Sequence, residues 1–279
     1  MSARTRRATG RVFLNLAAVV VFVCSVFPVY WMVNTAFLPG SAVKSETPHF
    51  WPDQFTLRSF QAAWEGGFVP ALWVSLAVTL LTVVAALVFA FLASIAVSRY
   101  RFRSRKSFIV AILVIQMIPA EAMIISTFRV LDGWHLLNTV IGLSAVYIAM
   151  VLPFTIWTLR GFVNGIPADL EEAAMIDGCS RTQAFWRVTF PLLAPGLVST
   201  GIFAFIQAWN EFIFALVIMT RPESQTLPIW LRSFVQATKA TDWAVVMAGS
   251  TLMAIPVIVF FLIVQGKMTS GLVSGAVKG

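Results

Sequence analysis

The sequence predicts an all-α protein that crosses a membrane several times, and three observations support this fold class: apolar content, apolar run length and charge distribution. Hydrophobic residues make up 59% of the 279 residues and charged residues only 11%, whereas charged residues reach about a quarter of an ordinary soluble domain. A soluble fold of this size could not bury so much apolar surface. We therefore expect lipid to surround most of the chain.

Six apolar runs are long enough to cross a membrane as helices. Crossing about 30 Å of hydrocarbon takes about 20 helical residues, and a helix satisfies its own backbone hydrogen bonds within lipid. The runs do not alternate apolar and polar residues as the strands of a membrane barrel would. The predicted spans, which together form a single transmembrane domain over residues 1–279, lie near residues 12–38, 69–97, 107–127, 139–159, 193–219 and 243–265.

The positive charges predict that both termini are cytoplasmic. Arginines crowd residues 4–11, before the first span, and the segment "SRYRFRSRK" joins the second span to the third. With both segments inside, the cytoplasmic loops and tails hold fourteen of the twenty Lys and Arg residues, as the positive-inside rule requires. Because these charges are divided among short loops that flank spans, we do not predict a nucleic-acid-binding protein. The first apolar run, at about 27 residues, exceeds the 7–15 residues of a signal-peptide core and is predicted to be the first span.

The sequence carries no signature of an enzyme or of a metal site. It has no G-x-x-x-x-G-K-[ST] phosphate loop and no G-x-S-x-G nucleophile elbow. Its two histidines, His49 and His135, fall in separate predicted outer loops, without a second histidine at metal-ligand spacing. Cys24 lies in a span and Cys179 in an inner loop, so we expect no disulfide between them.

The longest predicted cytoplasmic loop, residues 160–192, begins with the pattern of a short helix. Pro167 suits the first helical turn, where its missing N–H is no loss. Asp169, Glu171 and Glu172 then place negative charge near the positive end of the helix dipole. Gly178 stands where a helix C-cap needs a left-handed residue.

A second short helix is predicted directly after that glycine. Ser180 and Gln183 fit the S-x-x-Q capping box, and the following "AFWRVTF" is expected to end at Pro191. The loop is therefore predicted to consist of two short helices with a glycine between them.

The first of these helices has a narrow apolar strip formed by Leu170, Ala173, Ala174 and Ile176. Two interpretations stay open: a connector that lies on the bilayer surface, and a helix that docks onto a protein. A surface anchor would favour Lys and Arg opposite bulky apolar residues. The acidic, alanine-rich sequence favours a protein partner.

The same segment resembles the EAA loop of ABC importer permeases, whose pattern is E-A-A, three residues, Gly, nine residues and Ile-x-Leu-Pro. The order here is Glu172-Ala173-Ala174, then Gly178, then the Val-x-Phe-Pro that ends at Pro191. Val and Phe in place of Ile and Leu are apolar replacements at matched spacing. "QAWNEFIFAL" in the fifth span and the C-terminal "GLVSGAVKG" resemble the sugar-importer branch, in particular the maltose-type second permease subunit.

The resemblance implies a coupling helix that seats in a cleft of a separate ATPase subunit, where ATP and Mg²⁺ bind. It also implies a homologous permease subunit as heterodimer partner, two ATPase subunits, an extracytoplasmic sugar-binding protein and a prokaryotic plasma membrane. This chain would form half of a path for a di- or oligosaccharide and would not itself be an enzyme. The residues expected to couple the chain to the ATPase are Glu171, Glu172, Ala173, Ala174, Asp177, Gly178, Val188 and Pro191.

Polar side chains within the third and fifth spans form a second candidate site, because charged groups in spans are costly and usually face protein or water. Two interpretations stay open: these side chains line a sugar path, with Trp209 as an apolar wall, or they fasten spans together by hydrogen bonds. The candidate path residues are Gln116, Glu121, Gln207, Trp209, Asn210 and Glu211.

The alternative function is a stand-alone secondary transporter or channel that uses Glu121 and Glu211 as proton or ion sites. Such proteins usually contain inverted repeats and broken helices, and the sequence indicates neither. For the outer loop 220–242, a contact with the binding protein and a surface cover over the spans stay equally open. By the resemblance, the tail 271–279 extends towards the ATPase.

Overall fold

The structure, a computed structural model, describes residues 3–235 and 241–276, and side chains within 14–235 and 241–266. Throughout these ranges every regular element is helical, which confirms the predicted all-α class. The chain divides into two compact units, one formed by Met1–Phe68 with Leu231–Pro256 and the other by Val69–Trp230 with Val257–Gly279. The single domain over residues 1–279 stays a prediction.

The first unit contains the N-terminal helices. They are α1 (Ala3–Ala36), α2 (Gly40–Val43) and α3 (Arg58–Ala63), followed by a kinked segment Trp64–Phe68. In α1 the side chains of residues 14–30 are exposed, as lipid-facing residues of a span would be in an isolated chain. The segment after α2 is held in place by the Asn34 amide, which donates to the His49 carbonyl at 2.7 Å. Phe37 packs against Phe55 and Phe60, with ring centroids 4.8 and 4.9 Å away.

The second unit contains most of the predicted spans and the long loop. Its helices are α4 (Val69–Arg99), α5 (Arg105–Ile115), α6 (Ile124–Gly133), α7 (Val140–Gly165), α8 (Asp169–Ile176), α9 (Arg181–Ala184), α10 (Phe190–Asn210) and α11 (Ile213–Ile218). Short 3-10 turns cover Ala120–Met123 and Pro222–Ser224, and a π-helical turn covers Phe185–Thr189. Two further helices are divided between the units: α12 (Leu227–Ser233) and α13 (Trp243–Ala276).

Four of the six predicted spans match long apolar helices, namely α1, α4, α7 and α13. The predicted unbroken third span is wrong, because α5 and the helical segment Ala120–Gly133 meet at an angle of 90°. The break falls before Pro119, which has an extended ψ of 120° and gives no N–H to the helix. Proline also disfavours helical geometry at the preceding residue, Ile118. The expectation that the chain lacks broken helices is therefore wrong as well.

The fifth predicted span is interrupted near its C-terminal end. The helical run Arg181–Asn210 is long enough to cross a membrane. It stops at Glu211, whose backbone is extended (φ −67°, ψ 131°), and α11 begins at Ile213. The unbroken helix predicted over 193–219 is thus wrong at this point.

The core of the second unit lies where α4, α7 and α10 pack closely through small residues. Ala86 and Ala90 of α4 and Ala204 of α10 are fully buried. A side-chain carbon added at Gly196 of α10 would lie 2.6 Å from the ring of Phe162 in α7. Small residues at such positions let helix backbones approach each other within lipid. The three helices therefore form a close-packed frame for both candidate sites.

Candidate functional site

The first candidate site is α8 together with the turn that ends it. Asp169 is the first residue of α8 and Ala168 is its N-cap, so Pro167 lies just before the helix and not in its first turn as predicted. The Gly178 N–H donates to the Met175 carbonyl at 3.1 Å, and the Cys179 N–H donates to the Ala174 carbonyl at 3.0 Å. This pair of bonds is the Schellman motif. Gly178 has φ +94°, which confirms the predicted left-handed C-cap.

The second helix, α9, begins with the predicted capping box. The Ser180 N–H donates to Gln183 Oε1 at 2.9 Å, and the Gln183 N–H donates to Ser180 Oγ at 3.3 Å. The helix does not end at Pro191 as expected. It continues through the π-helical turn into α10, where Pro191 is the second residue.

The outward face of α8 combines acidic and apolar side chains. Asp169, Glu172, Ala173 and Ile176 are all exposed, and Ile176 is 87% exposed. Glu172 and Ala173 lie three and four residues after Asp169, and Ile176 lies four and three residues after them, so the four side chains share one side of the helix. Ala174 is half-buried. The predicted apolar strip is thus divided, and its most exposed member lies beside the two acids.

Glu171 points to the inner side of α8. Its carboxylate Oε1 accepts a hydrogen bond from Thr189 Oγ1 at 2.6 Å and lies 3.4 Å from Arg99 Nη2. The same Arg99 nitrogen donates to the Ile166 carbonyl at 3.1 Å. The side chains of Glu171 and Arg99 are 16% and 17% exposed. Sequence reasoning missed Arg99 and Thr189, because no local pattern pairs residues so far apart in the chain.

The remaining residues of the predicted coupling set differ in exposure. Asp177, Gly178 and Pro191 are exposed, whereas Val188 is half-buried in the π-helical turn. An aromatic cluster lies beside that turn, where Phe91 of α4 has its ring centroid 5.9 Å from Phe185. That cluster holds the start of α10 against α4.

The second candidate site is a cavity of about 1070 Å³ within the second unit. Five of the six predicted path residues line it, and all but the half-buried Glu211 are exposed. They are Gln116, Glu121, Gln207, Asn210 and Glu211. The cavity exists because the third span bends by 90° and the fifth is interrupted, so polar residues at both breaks face the same space.

Trp209 does not line this cavity, contrary to its predicted position as an apolar wall. Its side chain is 2% exposed and stacks on Phe205, with ring centroids 5.6 Å apart and planes within 10°. The aromatic surface of the cavity comes from Trp134 and from the packed rings of Phe154 and Phe203, whose centroids are 4.0 Å apart. These residues carry no polar signal in the sequence, which is why sequence reasoning missed them.

Glu211 is bound at the break between α10 and α11. Its carboxylate accepts hydrogen bonds from the backbone N–H groups of Phe214 at 2.8 Å and Ala215 at 3.0 Å. It also accepts a bond from the Tyr147 hydroxyl of α7 at 2.6 Å. The carboxylate therefore caps α11 and joins it to α7 while it lines the cavity. The hydrogen-bonding interpretation is confirmed for this residue, and the sugar path stays a prediction.

Neither histidine lies in a metal-binding arrangement. Among the residues that the structure describes, no three His, Cys, Asp or Glu side chains come together as metal ligands. His49 Nδ1 lies 3.3 Å from Oδ1 of Asp53, four residues later in the sequence. His135 adopts φ +55° in a turn.

The described part of the predicted outer loop 220–242 is packed against the second unit up to Trp230. Asn138 Oδ1 accepts hydrogen bonds from the Arg221 N–H and the Ser224 hydroxyl, at 2.9 and 3.0 Å. The Leu227 N–H donates to Ser75 Oγ of α4 at 2.7 Å, and Trp230 is buried. This part of the loop covers the spans. Residues 236–240, and the side chains of the tail 271–279, lie outside the described residues.

Comparisons with known proteins connect this geometry to transport. The model of the family described as "Binding-protein-dependent transport system inner membrane component" matches residues 86–270. The diacetylchitobiose uptake system permease protein DasC of Streptomyces coelicolor is 48% identical over 98% of this chain and 99% of that relative. The trehalose transport system permease protein SugB of Mycobacterium tuberculosis is 36% identical over 91% of this chain and 93% of that relative. A crystal structure of a bacterial ABC transporter involved in the import of the acidic polysaccharide alginate contains a chain of the same fold, with a TM-score of 0.79. The two sequences are 24% identical, and the match covers 95% of this chain and 98% of that chain.

Proposed function

The chain belongs to the family of binding-protein-dependent transport system inner membrane components, and from this premise we propose that it is one permease subunit of an ABC importer for a disaccharide. It forms half of the path and assembles with a homologous permease subunit, two ATPase subunits and an extracytoplasmic binding protein. The complex lies in a prokaryotic plasma membrane with both termini of this chain in the cytoplasm. ATP and Mg²⁺ bind to the ATPase subunits and not to this chain.

The outward face of α8 carries the coupling part of the proposal. Ile176 and Ala173 offer apolar area, and Asp169 and Glu172 offer negative charge beside it. An 87% exposed isoleucine on a polar loop is unfavourable in water, so a partner that covers it gains stability. A basic cleft on an ATPase subunit would match the two acids. The Schellman turn at Gly178 fixes the angle at which this face is presented.

The cavity supports the disaccharide part of the proposal. Small-molecule sites usually measure about 300–1,000 Å³ and combine aromatic walls with a few polar groups. Here Trp134 and Phe154 provide the aromatic surface, and the carboxamides of Gln116 and Gln207 can exchange hydrogen bonds with sugar hydroxyls. Two relatives are named for the uptake of diacetylchitobiose and trehalose, both of which are disaccharides. We infer that this chain serves a solute of the same size.

The bent third span would also suit a stand-alone transporter that uses Glu121 and Glu211 as ion sites. Family membership argues against that alternative. The Glu211 carboxylate is, in addition, already bound by two N–H groups and the Tyr147 hydroxyl, so its oxygens are largely occupied within the chain.

The experiment that tests the proposal is reconstitution of the full importer in liposomes, with a second permease, an ATPase and a binding protein from the same organism. We expect uptake of radiolabelled diacetylchitobiose or trehalose that requires both ATP and the binding protein. Ile176→Asp and Glu172→Lys should abolish co-purification of the ATPase, because they change the apolar area and the charge of the outward face. Thr182→Val, on the exposed surface of α9, is the matched control and should behave as wild type.

Three outcomes would contradict the proposal. Uptake that persists without the ATPase, or that stops only when a proton gradient is collapsed, would favour the stand-alone transporter. Transport of neither disaccharide, with an active ATPase, would refute the substrate class. An unaltered ATPase complex in Ile176→Asp and Glu172→Lys would remove the coupling role from α8.

A further inference from the structure

One carboxylate oxygen brings together three helices of the second unit at the level of the long loop. Glu171 Oε1 accepts from Thr189, which is the last residue before α10. It also lies 3.4 Å from Arg99, the last residue of α4. Arg99 in turn donates to the carbonyl of Ile166, the residue that follows α7. We call Arg99, Glu171 and Thr189 the loop junction.

The loop junction is shielded from solvent, although it lies in a polar loop. The side chains of Arg99 and Glu171 are 17% and 16% exposed, and Thr189 is buried. Charge-assisted hydrogen bonds in such surroundings are stronger than neutral ones. Removing one partner of a shielded ion pair leaves the other charge without compensation, which is a large cost. The junction is therefore a stiff connection and not an incidental surface contact.

Chain connectivity explains why such a connection matters. Residues 166–168 link α8 directly to α7, and α9 links it to α10. The chain does not link α4 to α8 in this way, because 69 intervening residues separate Arg99 from Asp169. At the level of the loop, only side chains can carry a displacement of α8 to α4, and Arg99 lies at the point of contact.

Two further contacts place the end of α4 against the same loop. Tyr100, just after α4, lies beneath the Arg181 guanidinium of α9, 5.7 Å from its ring centroid. About two turns before the end of α4, Phe91 packs against Phe190 with ring centroids 5.7 Å apart and the rings nearly perpendicular. These contacts are independent of the ion pair. Together with the loop junction they attach α4 to both ends of the segment from α8 to α10.

We propose that the loop junction transmits displacement of α8 to α4, so that α4, α7 and α10 move as one body when the ATPase partner moves α8. This rests on the proposed function. Glu171 and Glu172 then have separate tasks, although they are adjacent: Glu172 contacts the partner, whereas Glu171 is a positioning residue that acts inside the chain. Arg99 and Thr189 are positioning residues of the same kind.

The test uses the full reconstituted importer and measures three quantities: ATPase retained on the purified permease, ATP hydrolysis, and solute imported per ATP hydrolysed. For Glu171→Gln, Arg99→Ala and Thr189→Val we expect retained ATPase and continued hydrolysis. Import per ATP should fall by roughly 3- to 30-fold, the range expected when one element of a coupling network is removed. Thr189→Ser should restore wild-type import per ATP, because it keeps the hydroxyl.

Matched controls separate the junction from general effects of charge or size. Arg101→Ala removes an exposed arginine two residues from Arg99, and Thr182→Val removes an exposed threonine hydroxyl. Both variants should match the wild type in retained ATPase, ATP hydrolysis and solute imported per ATP. The double variant Arg99→Ala with Glu171→Gln should lose no more than Arg99→Ala alone, since residues that act through one contact are not additive.

The outcomes distinguish failure of this inference from failure of the proposed function. If the wild-type permease retains no ATPase, the proposed function fails. If the wild type couples and Glu171→Gln has unchanged import per ATP, the junction does not transmit movement. If Glu171→Gln loses the ATPase as Glu172→Lys does, Glu171 is a partner contact and the inference is overturned. Should Arg99→Ala fail to insert, the Thr189→Val and Thr189→Ser pair decides the question.

Discussion

Glu171 and Glu172 show how far the position of a single residue on a helix determines its surroundings. Neighbours on an α-helix point about 100° apart, so one acid is exposed on the outward face and the other is 16% exposed and bonded to Thr189. The sequence predicted both as coupling residues, and both place negative charge in the first turn of α8. Only the direction in which α8 packs, which depends on Arg99 and Thr189, separates them.

Gly178 carries a prediction at the same scale. Its φ of +94° lies in the region that L side chains rarely adopt, although open space surrounds it. We expect Gly178→Ala to destabilise the turn by about 1–2 kcal/mol, the cost of left-handed geometry for a residue with a Cβ. Gly178→Asn should cost less, because asparagine tolerates that geometry. The melting temperature of the detergent-purified permease measures both.

The control for this prediction is Gly165→Ala, at the end of α7, where an added carbon also meets open space and φ is not positive. It should leave the melting temperature unchanged. If Gly178→Ala had the same melting temperature as Gly178→Asn and Gly165→Ala, the turn would not require a glycine at position 178.

At the scale of elements, the sequence predicted what local chemistry determines and missed what packing determines. The Gly178 cap and the Ser180 capping box follow from residues a few positions apart, and both are present. Apolar run length located four spans correctly, but it cannot detect a backbone break inside an apolar run. The bend before Pro119 and the stop at Glu211 therefore went unpredicted. Trp209 was misplaced for a related reason, because its partner Phe205 decides which way the ring turns.

The close packing of α7 against α10 predicts that a larger side chain at Gly196 destabilises the protein. In Gly196→Ala, the new Cβ would lie 2.6 Å from Cγ of Phe162, an atom that can be displaced only by a change of the Phe162 rotamer or by movement of α7. Overpacking of this kind costs about 1–3 kcal/mol. We expect a lower melting temperature for the purified permease, whereas Gly161→Ala on the same α7, where nothing lies within 4 Å, should not change it. Equal melting temperatures for the two variants would show that α7 and α10 separate at little cost.

At the scale of the whole molecule, polar residues of the predicted spans line one cavity because the helices are broken where those residues lie. Glu121 follows the bend in the third span, and Asn210 ends α10. Continuous helices would have placed these groups on separate apolar surfaces. The breaks bring them to one cavity with Gln116 and Gln207. The broken backbone explains how five of the six predicted residues come to line one cavity. That this cavity is a sugar path stays a prediction.

The last prediction concerns orientation across the membrane, for which the charge distribution is the physical basis. Positive residues are retained on the cytoplasmic side, so the segment from Tyr100 to Lys106 and the loop 160–192 should be inside, and the turn after α6 should be outside. Because the chain has two cysteines, Cys24 and Cys179, a variant with serine at both gives a background for single-cysteine labelling.

In that background, Asp132→Cys should react in intact cells with a maleimide that does not cross membranes, whereas Arg103→Cys and Thr182→Cys should react only after the cells are permeabilised. All three positions are exposed, so a difference in labelling reports the side of the membrane and not burial. The cysteine-free background sets the zero level. Labelling of Arg103→Cys in intact cells would reverse the orientation, and α8 would then face away from any cytoplasmic ATPase.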